Sequence, residues 1–187
     1  TSIVVSPKGD VIAKHRKVHL FDIDVPGGIR FMESDTLSPG KSLTTFNMKD
    51  TDGKEICKIG VAICYDIRFP EFSMLMADEG CSLICIPGAF NMTTGPAHWE
   101  LLGRARALDN QLYVAMCSPA RDDKGPYTAW GHSSVIDPWG AVIATTEERE
   151  DTVVGEIDQA RLIAVRKSIP IRNQKRNDIY ELNKSKL

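Results

Sequence analysis

Short apolar runs cut by polar turns recur along the chain, a spacing that favours β-strands with a few helices set between them. Residues 2–5 and 10–13 flank Ser6-Pro7-Lys8-Gly9, whose proline and glycine predict a hairpin turn, and the second strand runs on into residues 14–19. Residues 42–47 and 55–64 predict another strand pair, joined by the polar stretch 49–54. Further strands are expected at 81–86, 112–117, 133–136 and 141–145, the last two around the turn Asp137-Pro138-Trp139-Gly140, and at 153–157. Helices fill the gaps. Pro70 and Glu71 suit a first helical turn and Gly80 a stop, while Ala97, Leu101, Ala105 and Leu108 recur at helical spacing within 96–111; residues 159–167 make a third helix. Residues 25–40 read as a loop too long for a simple connection. Strand, helix and strand across 55–86 form a βαβ unit, so the chain reads as one α/β domain with antiparallel parts.

Composition narrows the class. With 187 residues, 42% hydrophobic and 26% charged, the chain is sized for one core. No apolar run approaches the roughly 20 residues of a membrane span. A net charge of −2 argues against a nucleic-acid surface, and neither phosphate-loop pattern is present. No cofactor is expected. Five cysteines without a framework spacing point to a reducing compartment, most simply the cytoplasm. A metal site is not expected either: there is no Cys-x-x-Cys, and Cys81 and Cys85 on one strand lie about 13 Å apart.

One cysteine stands apart. Ile59 to Ile63 is small or apolar, as a buried strand requires, and Cys64 ends it; Tyr65, Asp66 and Arg68 then turn polar ahead of the Pro70 helix. A sharp strand-to-helix turn is the geometry that presents a nucleophile beside free backbone N–H groups. A lone strand cysteine is also an ordinary core residue, the reading given to Cys57, Cys81, Cys85 and Cys117. A thiol that attacks a carbonyl needs a proton acceptor and a group for the oxyanion. His15, His19, His98 and His132 each fit a structural hydrogen bond better than a Cys–His pair, and Lys17, leaving the end of a strand, is the other candidate.

Three segments resemble the nitrilase, or carbon–nitrogen hydrolase, superfamily: Arg16-Lys17-Val18-His19-Leu20-Phe21-Asp22, Ile63-Cys64-Tyr65-Asp66-Ile67-Arg68-Phe69-Pro70-Glu71, and residues 87–100 from Pro87-Gly88-Ala89-Phe90-Asn91 to His98-Trp99-Glu100. The similarity continues through 118–123 and 130–133 to 174–176, and is strongest to the omega-amidase branch. This resemblance implies an αββα four-layer sandwich spanning residues 1–187, usually a homodimer. It also implies hydrolysis of the terminal amide of 2-oxoglutaramate-type or 2-oxosuccinamate-type dicarboxylic acid monoamides through a cysteine thioester. On it, Cys64 matches the nucleophile, Lys17 the lysine and Glu33 a second glutamate that positions the site. The Tyr65 N–H would join Lys17 on the oxyanion, Arg68 would pair with a substrate carboxylate and Phe90 would wall the pocket. An internal ion pair from Arg68 to Asp66 or Glu71 is an equal alternative.

The resemblance also sets expectations that cut against activity. The family's general-base glutamate lies upstream of its lysine, and here no glutamate precedes Lys17. Thr1 is not an initiating methionine, so roughly the first third of the family's domain is expected to lie outside this sequence, which alone would then lack its base. Two other readings follow: a non-catalytic nitrilase-like binding protein, and an amidase of the deaminated-glutathione type.

Overall fold

The structure, a computed structural model, describes residues 1–185. Its centre is a six-stranded sheet in the order β10-β9-β8-β7-β6-β5, formed by β5 Thr44–Lys49, β6 Glu55–Val61, β7 Cys81–Pro87, β8 Tyr113–Cys117, β9 Ser134–Ile136 and β10 Val142–Thr145. β6, β7 and β8 run parallel, while β5, β9 and β10 are antiparallel to their neighbours. Parallel neighbours need long crossovers, which here are the helices α1 Pro70–Asp78 and α2 Thr94–Asn110. The hairpin of β1 Ser2–Val5 and β2 Val11–His15 lies beside β5, and helix α3 Gln159–Ser168 follows the sheet.

Strand alternation divides the core between two faces. Ile84, Ile86, Val114, Met116 and Ile136 face α1 and α2, where they bury Met76, Ala77, Trp99 and Ala107. Their neighbours Leu83 and Tyr113, with Ile59, point the other way and meet Leu162 of α3. Complete burial of such a side chain contributes about 1.5–3 kcal/mol, so the central strands hold the helices in place. Helix and sheet come closest at Gly103 of α2, where a Cβ would run into the Met116 sulfur of β8, and they are close again at Gly60 of β6, where a Cβ would come 2.6 Å from the Met76 sulfur of α1. This is the α/β arrangement expected of a nitrilase-like chain, with the described residues building its sheet and helix layers.

Four local expectations need correction. The stretch 25–40 is not one loop: β3 Asp22–Asp24 pairs with β4 Arg30–Met32 around a glycine turn, and a 3-10 turn Glu33–Asp35 follows. The hidden signal was the Gly27-Gly28 pair, with Gly27 at φ +70°. The strand expected through Cys64 stops at Val61. The strand expected to continue through residues 14–19 ends at His15. Residues 153–157 form no strand, because no neighbouring edge pairs with them. No helix among the described residues is long and apolar enough to cross a membrane.

Candidate active site

The Cys64 turn follows from where the sheet lets go. Ala62 makes the last ladder contact, its N–H donating to the Cys85 carbonyl at 3.0 Å, and Ile63 is still extended at φ −133°, ψ 119°. Cys64 then takes φ +47° and begins a 3-10 turn, Cys64–Arg68, that leads through extended Phe69 into α1, with Pro70 at its first position. A left-handed conformation costs a non-glycine residue roughly 1–2 kcal/mol and persists only where the surroundings hold it. Two neighbours do so. Gly88, just past β7, lies so close that a Cβ there would stand 2.9 Å from the Cys64 Cα. Asp66 folds back to accept the Ile63 N–H at 2.9 Å. The thiol projects beside the Ala89 carbonyl, with Sγ 3.9 Å from its oxygen.

Lys17 lies just past β2. Its Nζ donates to Glu33 Oε2 at 2.5 Å, and the same oxygen accepts the Phe21 N–H at 2.8 Å. Both side chains are mostly buried, with 11% and 20% of their surface exposed. The ammonium sits 6.0 Å from the Tyr65 ring centroid, so the Lys17–Glu33 pair stands next to the residue that follows the thiol.

Asp66 joins the two segments. Its Oδ1 accepts the Val18 N–H at 3.2 Å, the His19 N–H at 2.9 Å and the His19 Nδ1–H at 2.8 Å, and its Oδ2 accepts from His15 Nε2 at 3.2 Å as well as from Ile63. Burial alone pushes this carboxyl up, but donation from His15, the His19 and Ile63 amides and the His19 ring outweighs it and holds the pKa below the ordinary value. The His19 ring is stacked on Phe69 at 3.7 Å.

Arg68 ends the 3-10 turn with its guanidinium 4.8 Å above the Phe90 ring and 5.9 Å from that of Tyr65, and Nη1 donates to His98 Nδ1 at 3.3 Å. The internal ion pair that the sequence left open is not formed among the described residues; Asp66 is committed elsewhere. Phe90 is buried and meets Trp99 edge-on at 5.1 Å, so it supports Arg68 from beneath. Each histidine has a hydrogen-bond partner: His15 and His19 donate to Asp66, His98 accepts from Arg68, and His132 donates from Nδ1 to the Trp130 carbonyl at 2.9 Å.

Sequence reasoning missed Tyr127. Its hydroxyl donates at 2.9 Å to the Ala89 carbonyl that also faces the thiol, and burial, then the nearby Cys64 charge, push its pKa up. It comes from the irregular stretch 121–129, where no local pattern marks it. Burial pushes the Cys81 thiol up to about 12 and the Cys85 thiol up to about 11. Among the described residues, no three His, Cys, Asp or Glu side chains converge to hold a metal ion. A cavity of about 790 Å³ between α1, α3 and residues 170–182 lies away from all these groups.

Comparison with known proteins decides the family. The sequence model of the carbon-nitrogen hydrolases matches residues 1–167. This chain belongs to the carbon-nitrogen hydrolase family. It is 56% identical over 186 residues to omega-amidase NIT2 of Xenopus tropicalis, covering 100% of this chain and 65% of that protein. To omega-amidase NIT2 of Danio rerio it is 58% identical over 183 residues, 98% of this chain and 64% of that one. The chain thus spans just under two thirds of the length of these curated relatives. Among solved structures, Saccharomyces cerevisiae Nit3, a member of branch 10 of the nitrilase superfamily, superposes with a TM-score of 0.81 at 45% identity, covering 93% of this chain and 58% of that one. The C. elegans NitFhit protein gives 0.85 at 38% identity, with 96% and 42% covered.

Proposed function

We propose that this carbon-nitrogen hydrolase chain is the cysteine-bearing part of an omega-amidase, hydrolysing the terminal amide of small dicarboxylic acid monoamides such as 2-oxoglutaramate and 2-oxosuccinamate. The observation that carries the reading is the meeting of the strained Cys64 turn with the buried Lys17–Glu33 pair beside Tyr65. The Cys64 thiolate attacks the amide carbon, and the oxyanion forms between the Lys17 ammonium and the Tyr65 N–H. The thiol proton passes to the family's general-base glutamate and on to the departing nitrogen, so that ammonia leaves and a thioester remains. Water then attacks the thioester, the C–S bond breaks, and the free acid and thiol return. Glu33, held by Lys17 and the Phe21 amide, acts by fixing the ammonium rather than by moving the proton.

Specificity for an acid rests on Arg68. Its guanidinium has aromatic faces and a histidine around it and, among the described residues, no carboxylate partner, so it suits bidentate capture of the substrate's own carboxylate, with Phe90 beneath. High identity to proteins named omega-amidase supports the same substrate class. The protein acts as a homodimer in the cytoplasm on this reading. Leu101 and Leu108 of α2 and Trp139 in the adjoining turn are exposed apolar residues on one surface, which supports a self-complementary contact. The deciding measurement is ammonia release from 2-oxoglutaramate, from a neutral amide of the same length and from deaminated glutathione, with a parent protein completed upstream so that it carries the family's general-base glutamate, and with Cys64→Ala in that protein. The expected result is turnover of the first alone, lost in the variant. Absence of turnover on every amide would return the chain to a binding role.

A further inference from the structure

We propose that Asp66 is the positioning residue that sets Lys17 against Cys64, one buried carboxylate clamping the nucleophile turn to the segment that delivers the lysine. This rests on the amidase reading for its kinetic consequences, and on the geometry alone for its structural ones. Asp66 has no exposed surface and receives five hydrogen bonds. One comes from Ile63, the residue before the thiol. Two come from the amides of Val18 and His19, directly after Lys17. The last two come from the rings of His15, at the end of β2, and of His19. The carboxylate therefore fixes both ends of the gap across which Lys17 must meet the thiol and the oxyanion, although it approaches no substrate.

The donor pattern shows why a carboxylate is needed there. Oδ1 faces three donors and Oδ2 two, and each set includes a backbone N–H that cannot turn away. An asparagine would have to point its NH₂ at one of those sets, placing donor against donor. His15 is tied in turn to Thr44 of β5 by an Nδ1–Oγ1 contact of 3.0 Å, and His19 is fixed by its stack on Phe69 at the start of α1. With Nε2–H given to Asp66, a neutral His15 accepts the Thr44 hydroxyl at Nδ1, so sheet, hairpin and helix all converge on this carboxylate.

The test is a double-mutant cycle in the protein completed upstream with the family's general-base glutamate. Asp66→Asn should lower kcat by about a hundredfold with KM nearly unchanged, measured where a thermal melt shows the variant folded. If Asp66 works through Lys17, the Lys17→Met/Asp66→Asn double variant should be about as slow as Lys17→Met alone. Losses that multiply, or a kcat for Asp66→Asn within about fivefold of the parent, overturn the proposal. Should Asp66→Asn fail to fold, His19→Phe decides: it keeps the Phe69 stack and the backbone donor and removes one ring donor. A several-fold fall in kcat supports the clamp, and an unchanged kcat overturns it. A parent that releases no ammonia removes the amidase reading and leaves this one standing on a second readout, the rate of iodoacetamide alkylation at Cys64 followed by peptide mass. Asp66→Asn should raise it by about fivefold as the turn that holds the thiol against Gly88 loosens and opens access to the sulfur, and an unchanged rate would overturn the clamp.

Discussion

Cys64 and Cys85 stand almost side by side yet occupy opposite chemical worlds. Cys85 lies within β7, paired with Val61, and its carbonyl receives the last ladder bond from Ala62. Two residues further on, Cys64 has left the sheet for a left-handed turn against Gly88. Burial pushes the Cys85 thiol up to about 11, so it stays protonated, whereas Cys64 is partly exposed between Lys17's segment and the Ala89 carbonyl. The residue type is the same. What differs is whether the backbone around the sulfur is paired in a ladder or released into a turn.

The largest way to break that contrast is Cys64→Ala. On the proposed reading, ammonia release should fall by several orders of magnitude, with a melting temperature close to the parent's, since alanine fits the same turn. Activity within about tenfold of the parent would sink the nucleophile assignment. Next comes Lys17→Met. Steady-state kinetics should show kcat down by about 10²–10³ and KM little changed, because the ammonium matters most once the oxyanion forms. A raised KM with unaltered kcat would make Lys17 a binding residue only.

Gly88→Ala probes the turn without touching a reacting group. Its new methyl would press on the Cys64 Cα at 2.9 Å and Cβ at 3.1 Å, so the turn must shift. About 1–3 kcal/mol of stability and about tenfold in kcat should be lost together, read by chemical denaturation and ammonia release. Cys85→Ala should do the reverse, costing about 1 kcal/mol of packing while kcat stays put. A kinetic defect there would erase the distinction between the two sulfurs.

The smallest effect is in pH. Cys81 and Cys85 have folded pKa values raised from 9.0 to about 12 and about 11, so the unfolded chain ionises them first. The stability they contribute is complete below pH 9 and declines as pH rises towards 11–12. Asp66 has the opposite sign. Its lowered pKa contributes stability above the ordinary carboxylate range that is lost as pH falls through the folded value. Denaturation midpoints of the parent, Cys85→Ala and Asp66→Asn across pH separate the two limbs; an acid limb unchanged in Asp66→Asn would remove that carboxylate from the balance.

Much of this was determined by the sequence alone. Alternating apolar runs set the strands, Pro70 and Gly80 bounded α1, and the abrupt polar switch after Cys64 marked the turn, because each depends on neighbours within a few residues. Lys17 was legible as a candidate at the end of a strand, but Glu33 only through family resemblance, since sixteen residues of hairpin and 3-10 turn separate the two and no periodicity relates one to the other. Tertiary structure decided the rest. It freed Arg68 from its neighbouring acids by committing Asp66 to five donors, and it brought Tyr127 to the Ala89 carbonyl from a stretch without regular structure. It also found no partner edge for residues 153–157, whose apolar alternation had read as a strand. A strand or a turn can be read from local preference, but a hydrogen-bond partner 47 residues away, as His19 is from Asp66, exists only once the sheet has folded the chain back on itself.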